Sequence, residues 1–200
     1  SKAPMKDFVY LASQSPRRRQ LLEQIGVRYE LLLAASDEDA ESLERVMPSE
    51  APLAYVKRVT QLKLEAAVLR LQLRQLPPAP VLCADTTVAL GRDILGKPEN
   101  EQDAVRILKT LSGQTHRVLT AVAVASGRRR LLSVSISKVS FAPMKLSEIK
   151  AYVATGEPFG KAGAYGIQGL AAAHISAIQG SYTGIMGLPI FETAQLLKQL

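Results

Sequence analysis

Tryptophan is missing from these 200 residues, and cysteine occurs once, at Cys83. A lone thiol forms neither a disulfide framework nor a cysteine-based zinc site, and it makes a reducing, cytoplasmic setting the expectation. Histidine occurs only at His116 and His174, in different segments and without metal-ligand spacing. Both are expected to be core or surface residues. Aromatics make up 5% of the chain, too few to interleave with basic side chains as nucleic-acid modules do. No apolar run approaches the roughly 18 residues of a membrane span, and residues 8–12 are too few for a signal-peptide core. No membrane partner is expected. The chain also has no G-x-S-x-G elbow and no H-E-x-x-H pair, which argues against serine-nucleophile and zinc-protease chemistry.

What is present is an ordinary globular balance, 47% hydrophobic and 22% charged. The length fits one domain, or two small lobes sharing one cleft, and residues 5–200 are expected to form that single unit. Residues 1–4, ahead of Met5, are expected to be disordered or left over from cloning. The net charge of +7 is local: between 101 and 150 nine basic side chains face three acidic ones, among them Arg106, Arg117, Arg128, Arg129 and Arg130. A solvated basic face explains this excess best. A nucleic-acid or protein-binding regulator built on that segment is the competing reading, and nucleic acid is not expected as a partner.

Strand-like and helix-like pieces alternate, which predicts an α/β class with a mixed, twisted sheet and flanking helices. Residues 8–12 read as a buried strand. A helix over 17–25 follows, with Ser15 as N-cap, Pro16 at its first position and Gly26 as its stop. Residues 29–34 read as a strand and 51–76 as the longest helix. Residues 81–84 form an apolar strand ending at or running through Asp85. A helix over 101–111, a hairpin of 116–125 with 131–141, and a helix to Ala154 capped by Ser147 come next. A glycine-rich stretch, a strand over 171–178 and a closing helix complete the chain.

The segment Ser13-Gln14-Ser15-Pro16-Arg17-Arg18-Arg19 carries the most chemistry. A strand turning through serines into a helix presents free backbone N–H groups and the positive end of the helix dipole, which together suit an anion. Cations in that first turn oppose the dipole by up to about 1 kcal/mol each, and a bound phosphate would relieve the cost. An ordinary cap with three solvated arginines is the alternative. Asp85, after an apolar strand, needs pairing, a metal or a proton if it is buried, unless it is a strand-end cap. Glu38, between Asp37 and Asp39, suits a hard divalent cation together with Asp85, or else belongs to a solvated acidic loop. Lys63 and Lys97 suit phosphate binding, although each taken alone reads as a surface or snorkelling lysine. The stretch from Gly160 to Gly169 suggests close backbone approach to a ligand, without matching a P-loop or a dinucleotide fingerprint.

Read in order, LASQSPRRRQLL, ADT at 84–86, LGKP at 95–98, LSGQTH at 111–116, KAGAYGIQG at 161–169, GSY at 180–182 and GLP at 187–189 resemble the Maf family of nucleotide pyrophosphatases. The resemblance implies a Maf/ITPase-like fold with two lobes around a central cleft, often as a homodimer. It also implies hydrolysis of a nucleoside triphosphate to the monophosphate and pyrophosphate with a divalent cation (Mg²⁺, Mn²⁺ or Co²⁺). By resemblance, Asp85 is the proton acceptor and, with Glu38, the metal ligand. Ser15, Arg18, Lys63 and Lys97 would handle phosphate. Arg17, Thr86 and Gln168 resemble the subgroup acting on dTTP and UTP, which makes modified pyrimidine triphosphates plausible substrates too. An ITP- or XTP-cleaving enzyme is the related alternative. The sequence departs from the family pattern at Gly160, usually Asp, at Cys83, commonly Gly, and at Leu64, commonly Ala.

Overall fold

The computed structural model describes residues 7–200, so the expectation for residues 1–4 lies outside the described residues. Strand β1 (Val9–Leu11) leads into helix α1 (Pro16–Gln24) and strand β2 (Tyr29–Leu31). A short 3-10 turn (Glu41–Glu44) precedes the long helix α2 (Pro52–Leu73), which delivers the chain to strand β3 (Val81–Leu90). Then come β4 (Asp93–Leu95), α3 (Glu101–Leu111), the hairpin β5 (Thr115–Ser126) and β6 (Arg129–Phe141), and α4 (Leu146–Ala154). Two 3-10 turns, β7 (Ile175–Gln179), α5 (Tyr182–Met186) and α6 (Ile190–Lys198) close the chain.

One seven-stranded sheet runs through these elements in the order β2-β1-β3-β5-β6-β7, with β4 also paired to β3. The strands β2, β1 and β3 are parallel, whereas β3, β5, β6 and β7 are antiparallel, so the sheet is mixed as expected. Period-two alternation along β3 sorts its side chains between the two faces. Val81 and Cys83 pack with Leu64 and Ala67 beneath α2, while Leu82 and Ala84 pack with Leu21, Leu22 and Leu188 on the opposite face. Leu64 and Cys83, two of the departures from the family pattern, therefore fill the same cluster.

Three local expectations are corrected. Strand β3 continues six residues past Ala84 to Leu90, because the β-branched Thr86, Thr87 and Val88 favour an extended chain and pair with β5 throughout. Helix α4 begins at Leu146 rather than being capped by Ser147; the Lys145 N–H donates to Glu148 Oε1 at 2.8 Å, so a side chain one turn inside closes the end. The last strand starts at Ile175, since Leu170–His174 coils as a 3-10 turn before it.

The register leaves a notch in the middle of the sheet. Along one edge of β3, strand β1 pairs with Val81 and Leu82 and strand β4 pairs with Val88, Ala89 and Leu90. Residues 83–87 have no strand on that side, while β5 covers the other side without interruption. The chain leaving β1 enters the Ser13–Arg18 turn and the chain leaving β4 enters Gly96-Lys97, so both segments flank the notch.

A buried histidine braces the far side of this arrangement. His116, 1% exposed, shares a 2.6 Å hydrogen bond between its Nε2 and the Tyr165 hydroxyl and stacks on Phe141. Burial pulls His116 down to about 4. Its folded value lies below its unfolded one, so the stability it carries is complete above about pH 6.5 and drains away as pH falls toward about 4. Urea unfolding is expected to lose about 2 kcal/mol between about pH 7.5 and pH 5. In His116→Phe that slope should vanish; a slope of the same size in the variant would place its source elsewhere.

Candidate active site

Thr86 and Asp85, adjacent in the notch, point to opposite faces of β3 and gather separate cations. On the α1 side, Arg18 is held as a fork. Its Nε donates to the Gly187 carbonyl at 2.7 Å, Nη1 to Ser13 Oγ at 3.1 Å and Nη2 to Thr86 Oγ1 at 3.3 Å. Thr86 Oγ1 lies 3.0 Å from Thr120 Oγ1, its partner across the ladder, which in turn donates to the Gly184 carbonyl at 2.6 Å. Burial pulls the Arg18 guanidinium below its ordinary value, with the Asp85 charge opposing. Among the described residues no carboxylate forms an ion pair with Arg18. Ser15 caps α1, accepting the Arg18 N–H at 3.4 Å, and no acidic residue occupies the helix's first turn.

On the α2 side, Lys63 Nζ donates to Asp85 Oδ1 at 2.9 Å and to Glu44 Oε1 at 2.7 Å. The same Glu44 oxygen accepts from Lys97 Nζ at 3.2 Å. Burial works against the Lys63 ammonium, but the charges of Asp85 and Glu44 outweigh it and raise its pKa. Burial alone would raise the Glu44 carboxyl, yet Lys63 and Lys97 hold it below its usual value. Ser15, Arg18 and Thr86 are thus joined by hydrogen bonds on one face of β3, and Asp85, Lys63 and Lys97 through Glu44 on the other, the two groups meeting at adjacent residues of the strand.

Glu38 is placed differently from the sequence expectation. Both its carboxylate oxygens accept from Arg70, at 2.7 to 3.1 Å, and Arg74 lies 3.6 Å from Oε1. The hydrogen bonds from Arg70 hold the Glu38 carboxyl below its ordinary range. The carboxylate that shares a lysine with Asp85 is Glu44. Nothing in the sequence separates Glu44 from Glu41 on the same turn, and the Arg70 that claims Glu38 lies on a helix far along the chain.

Arg17 and Gln168 belong to a neighbouring wall. Arg17 Nε donates to the Met186 carbonyl at 3.2 Å, and its guanidinium lies beside Gly166, where an added Cβ would come within 3.4 Å of Nη1. Gln168 is exposed two residues further along that loop. The loop is seated closely at two glycines, of which Gly163 requires glycine and Gly169 could take a side chain only if the Glu157 carboxylate moved. At Gly163, φ is +75° and a Cβ would lie 2.9 Å from Val88; at Gly169 a Cβ would lie 1.7 Å from Glu157 Oε1. Glu157 also accepts the Leu170 N–H at 3.0 Å and, with Tyr152, opposes the fall that burial imposes on the Arg17 pKa. Glu157 is a second residue the sequence reading missed, because its partners become neighbours only through the loop. Gly160 occupies an open turn at φ +79° with nothing within 4 Å of an added Cβ, so its departure from the family pattern leaves the cation cluster intact.

A family model described as Maf-like protein matches residues 8–200. The chain belongs to the Maf family. Among curated Maf relatives, the dTTP/UTP pyrophosphatase of Polaromonas sp. (strain JS666) is 65% identical over 195 residues, covering 98% of this chain and 96% of its own. The enzymes of the same name from Albidiferax ferrireducens and Cupriavidus pinatubonensis are 64% and 62% identical, each across 97% or more of both chains. A Ham1 protein of Staphylococcus aureus overlaps 68% of this chain and 73% of its own at a TM-score of 0.45 and 12% identity, a partial likeness only. The Maf assignment accounts for the motifs structurally: the GLP segment and Met186 supply the carbonyls that hold Arg18 and Arg17, and Gly96 of LGKP accepts the Gly163 N–H at 3.1 Å.

Four of the nine basic side chains in the 101–150 segment are engaged within the fold. Arg106 pairs with Asp103 at 2.7 Å, Arg130 with Glu65, and Arg117 and Arg129 donate to the carbonyls of Gly91 and Gln199. No described helix is long and apolar enough to cross a membrane.

Proposed function

We propose that this protein hydrolyses dTTP and UTP to the monophosphate and pyrophosphate. The observation carrying this reading is the gathering of Arg18, Lys63 and Lys97 about adjacent Asp85 and Thr86 in a break of the sheet. A triphosphate brings roughly four negative charges, and one charge pair 4 Å apart is worth about 4 kcal/mol at an effective dielectric near 20, so several cations are needed. Arg18 and the Ser15 turn suit one end of the phosphate chain, and Lys63 with Lys97 the other. Water attacks phosphorus at the α–β anhydride, Asp85 accepts its proton, and the bond to the bridging oxygen breaks to release pyrophosphate. Arg17 and Gln168, on the glycine-loop wall, select the pyrimidine with Thr86, an assignment that includes modified pyrimidines.

Asp85, a hard oxygen donor with Oδ1 on Lys63 at 2.9 Å, would hold a divalent cation through its other oxygen, completed by substrate phosphate oxygens, since the described residues gather no cluster of three ligating side chains. For Glu38 to be a second ligand, one of its oxygens must leave Arg70. When bound, such a cation neutralises charge and polarises the phosphoryl oxygens. The family resemblance extends the reading to a cytoplasmic homodimer.

A nucleotide panel with chelator controls tests the proposal. UTP and dTTP should yield the monophosphate plus pyrophosphate with Mg²⁺, Mn²⁺ or Co²⁺, and excess EDTA should abolish turnover. Release of single phosphate would overturn it, and preference for ITP or XTP would transfer the activity to deaminated purines.

A further inference from the structure

Glu44 uses one carboxylate oxygen to accept from two ammonium groups, Lys63 at 2.7 Å and Lys97 at 3.2 Å. The lysines come from different places, α2 and the loop after β4. Two ammonium groups converging on one point repel each other unless an anion lies between them. In a protein that binds polyphosphate there, the oxygen between two lysines is the position of a phosphate oxygen. We propose that the Glu44 carboxylate is a surrogate for a substrate phosphate: it holds Lys63 and Lys97 together in the free protein and yields both to the polyphosphate.

The turn is built for that exchange. Its backbone is fastened to α2, where the Tyr55 hydroxyl donates to the Glu44 carbonyl and Arg58 donates to the Arg45 carbonyl at 2.5 Å. The Glu44 side chain, by contrast, is held by the two lysines alone among the described residues and keeps 30% of its surface exposed. It can therefore swing away by side-chain rotation with the turn still in place. Asp85 shares Lys63 with Glu44 but makes no contact with Lys97, so it does not bridge the pair. Both lysines keep Glu44 charged at neutral pH, so it competes for them under working conditions.

The proposal rests on Lys63 and Lys97 being the phosphate site, and its test separates the two ideas. Inorganic pyrophosphate is titrated calorimetrically, in chelator, into wild type, Glu44→Gln, Glu41→Gln and Lys97→Met, each checked for folding by its melting curve. Glu44→Gln should bind about three- to tenfold more tightly, as expected for loss of one partly exposed ion-pair competitor. Glu41→Gln, on the same exposed turn with the same change of charge, should stay within about twofold. In steady state, KM for UTP in Glu44→Gln should fall by the factor seen in the titration while kcat holds. Equal or weaker pyrophosphate binding in Glu44→Gln, with Lys97→Met weaker than wild type, would overturn the surrogate and leave the lysine site standing. Lys97→Met binding as tightly as wild type would overturn both. A loss of kcat in Glu44→Gln with unchanged pyrophosphate affinity would also overturn it, by assigning Glu44 to the chemical step.

Discussion

Asp85→Asn is expected to lower kcat for pyrophosphate release by about a thousandfold, within the range a positioned proton acceptor contributes. The substitution preserves shape and the carbonyl oxygen that faces Lys63, and Lys63 remains anchored to Glu44 at 2.7 Å. The cations that meet the phosphates are thus left in place, and KM for UTP should change by no more than about threefold. Removing the carboxylate leaves the attacking water without an acceptor, and it removes the charge suited to a divalent ion. Turnover of the purified variant, followed by release of pyrophosphate at saturating UTP, measures the effect directly. Turnover at the wild-type rate would take Asp85 out of the mechanism.

Arg18→Met should produce the second largest loss, about 10² to 10³ in kcat/KM, comparable to deleting one preorganised donor from a charge-stabilising site. Arg18 gathers three neutral acceptors, Gly187 O, Ser13 Oγ and Thr86 Oγ1, and no carboxylate. Burial disfavours its charge, so the protein gains little stability from keeping a guanidinium there. Methionine fills comparable space, and the change in unfolding free energy should stay within about 1 kcal/mol. Arg18→Lys should not rescue activity, because an ammonium cannot reproduce a planar fork that reaches three acceptors from fixed directions. A variant destabilised in proportion to its lost activity would instead make Arg18 a structural brace.

The parts of the site legible in the sequence are those with local signals. Ser15-Pro16 announces a helix start and the apolar run 81–84 announces a strand, so Ser15 and Asp85 carried local signals, whereas only the family resemblance separated Arg18 from Arg19 for a phosphate role. The extension of β3 to Leu90 was hidden because Asp85, Thr86 and Thr87 break the apolar run that marks a buried strand. Their polarity serves the notch, where a continuous hydrophobic strand would have nothing to offer an anion. Glu44 and Glu157 were invisible for a different reason. Each owes its role to partners brought near by the sheet and loops, Lys63 with Lys97 in one case and Gly169 with Arg17 in the other. Glu38 shows the converse, a carboxylate with suggestive neighbours in sequence whose oxygens Arg70 claims from a helix.

Strand β3 is an interior strand that becomes an edge for only five residues, 83–87. Free strand edges ordinarily template pairing with foreign chains and invite aggregation. Here β1 and β4 stand at the two ends of the gap like bookends, and an intruding segment long enough to pair would collide with one or the other. Cys83, Ala84 and Thr87 within the gap are buried, so the molecule offers a guest only the half-buried Asp85 and Thr86, while denying the place to an extended polypeptide.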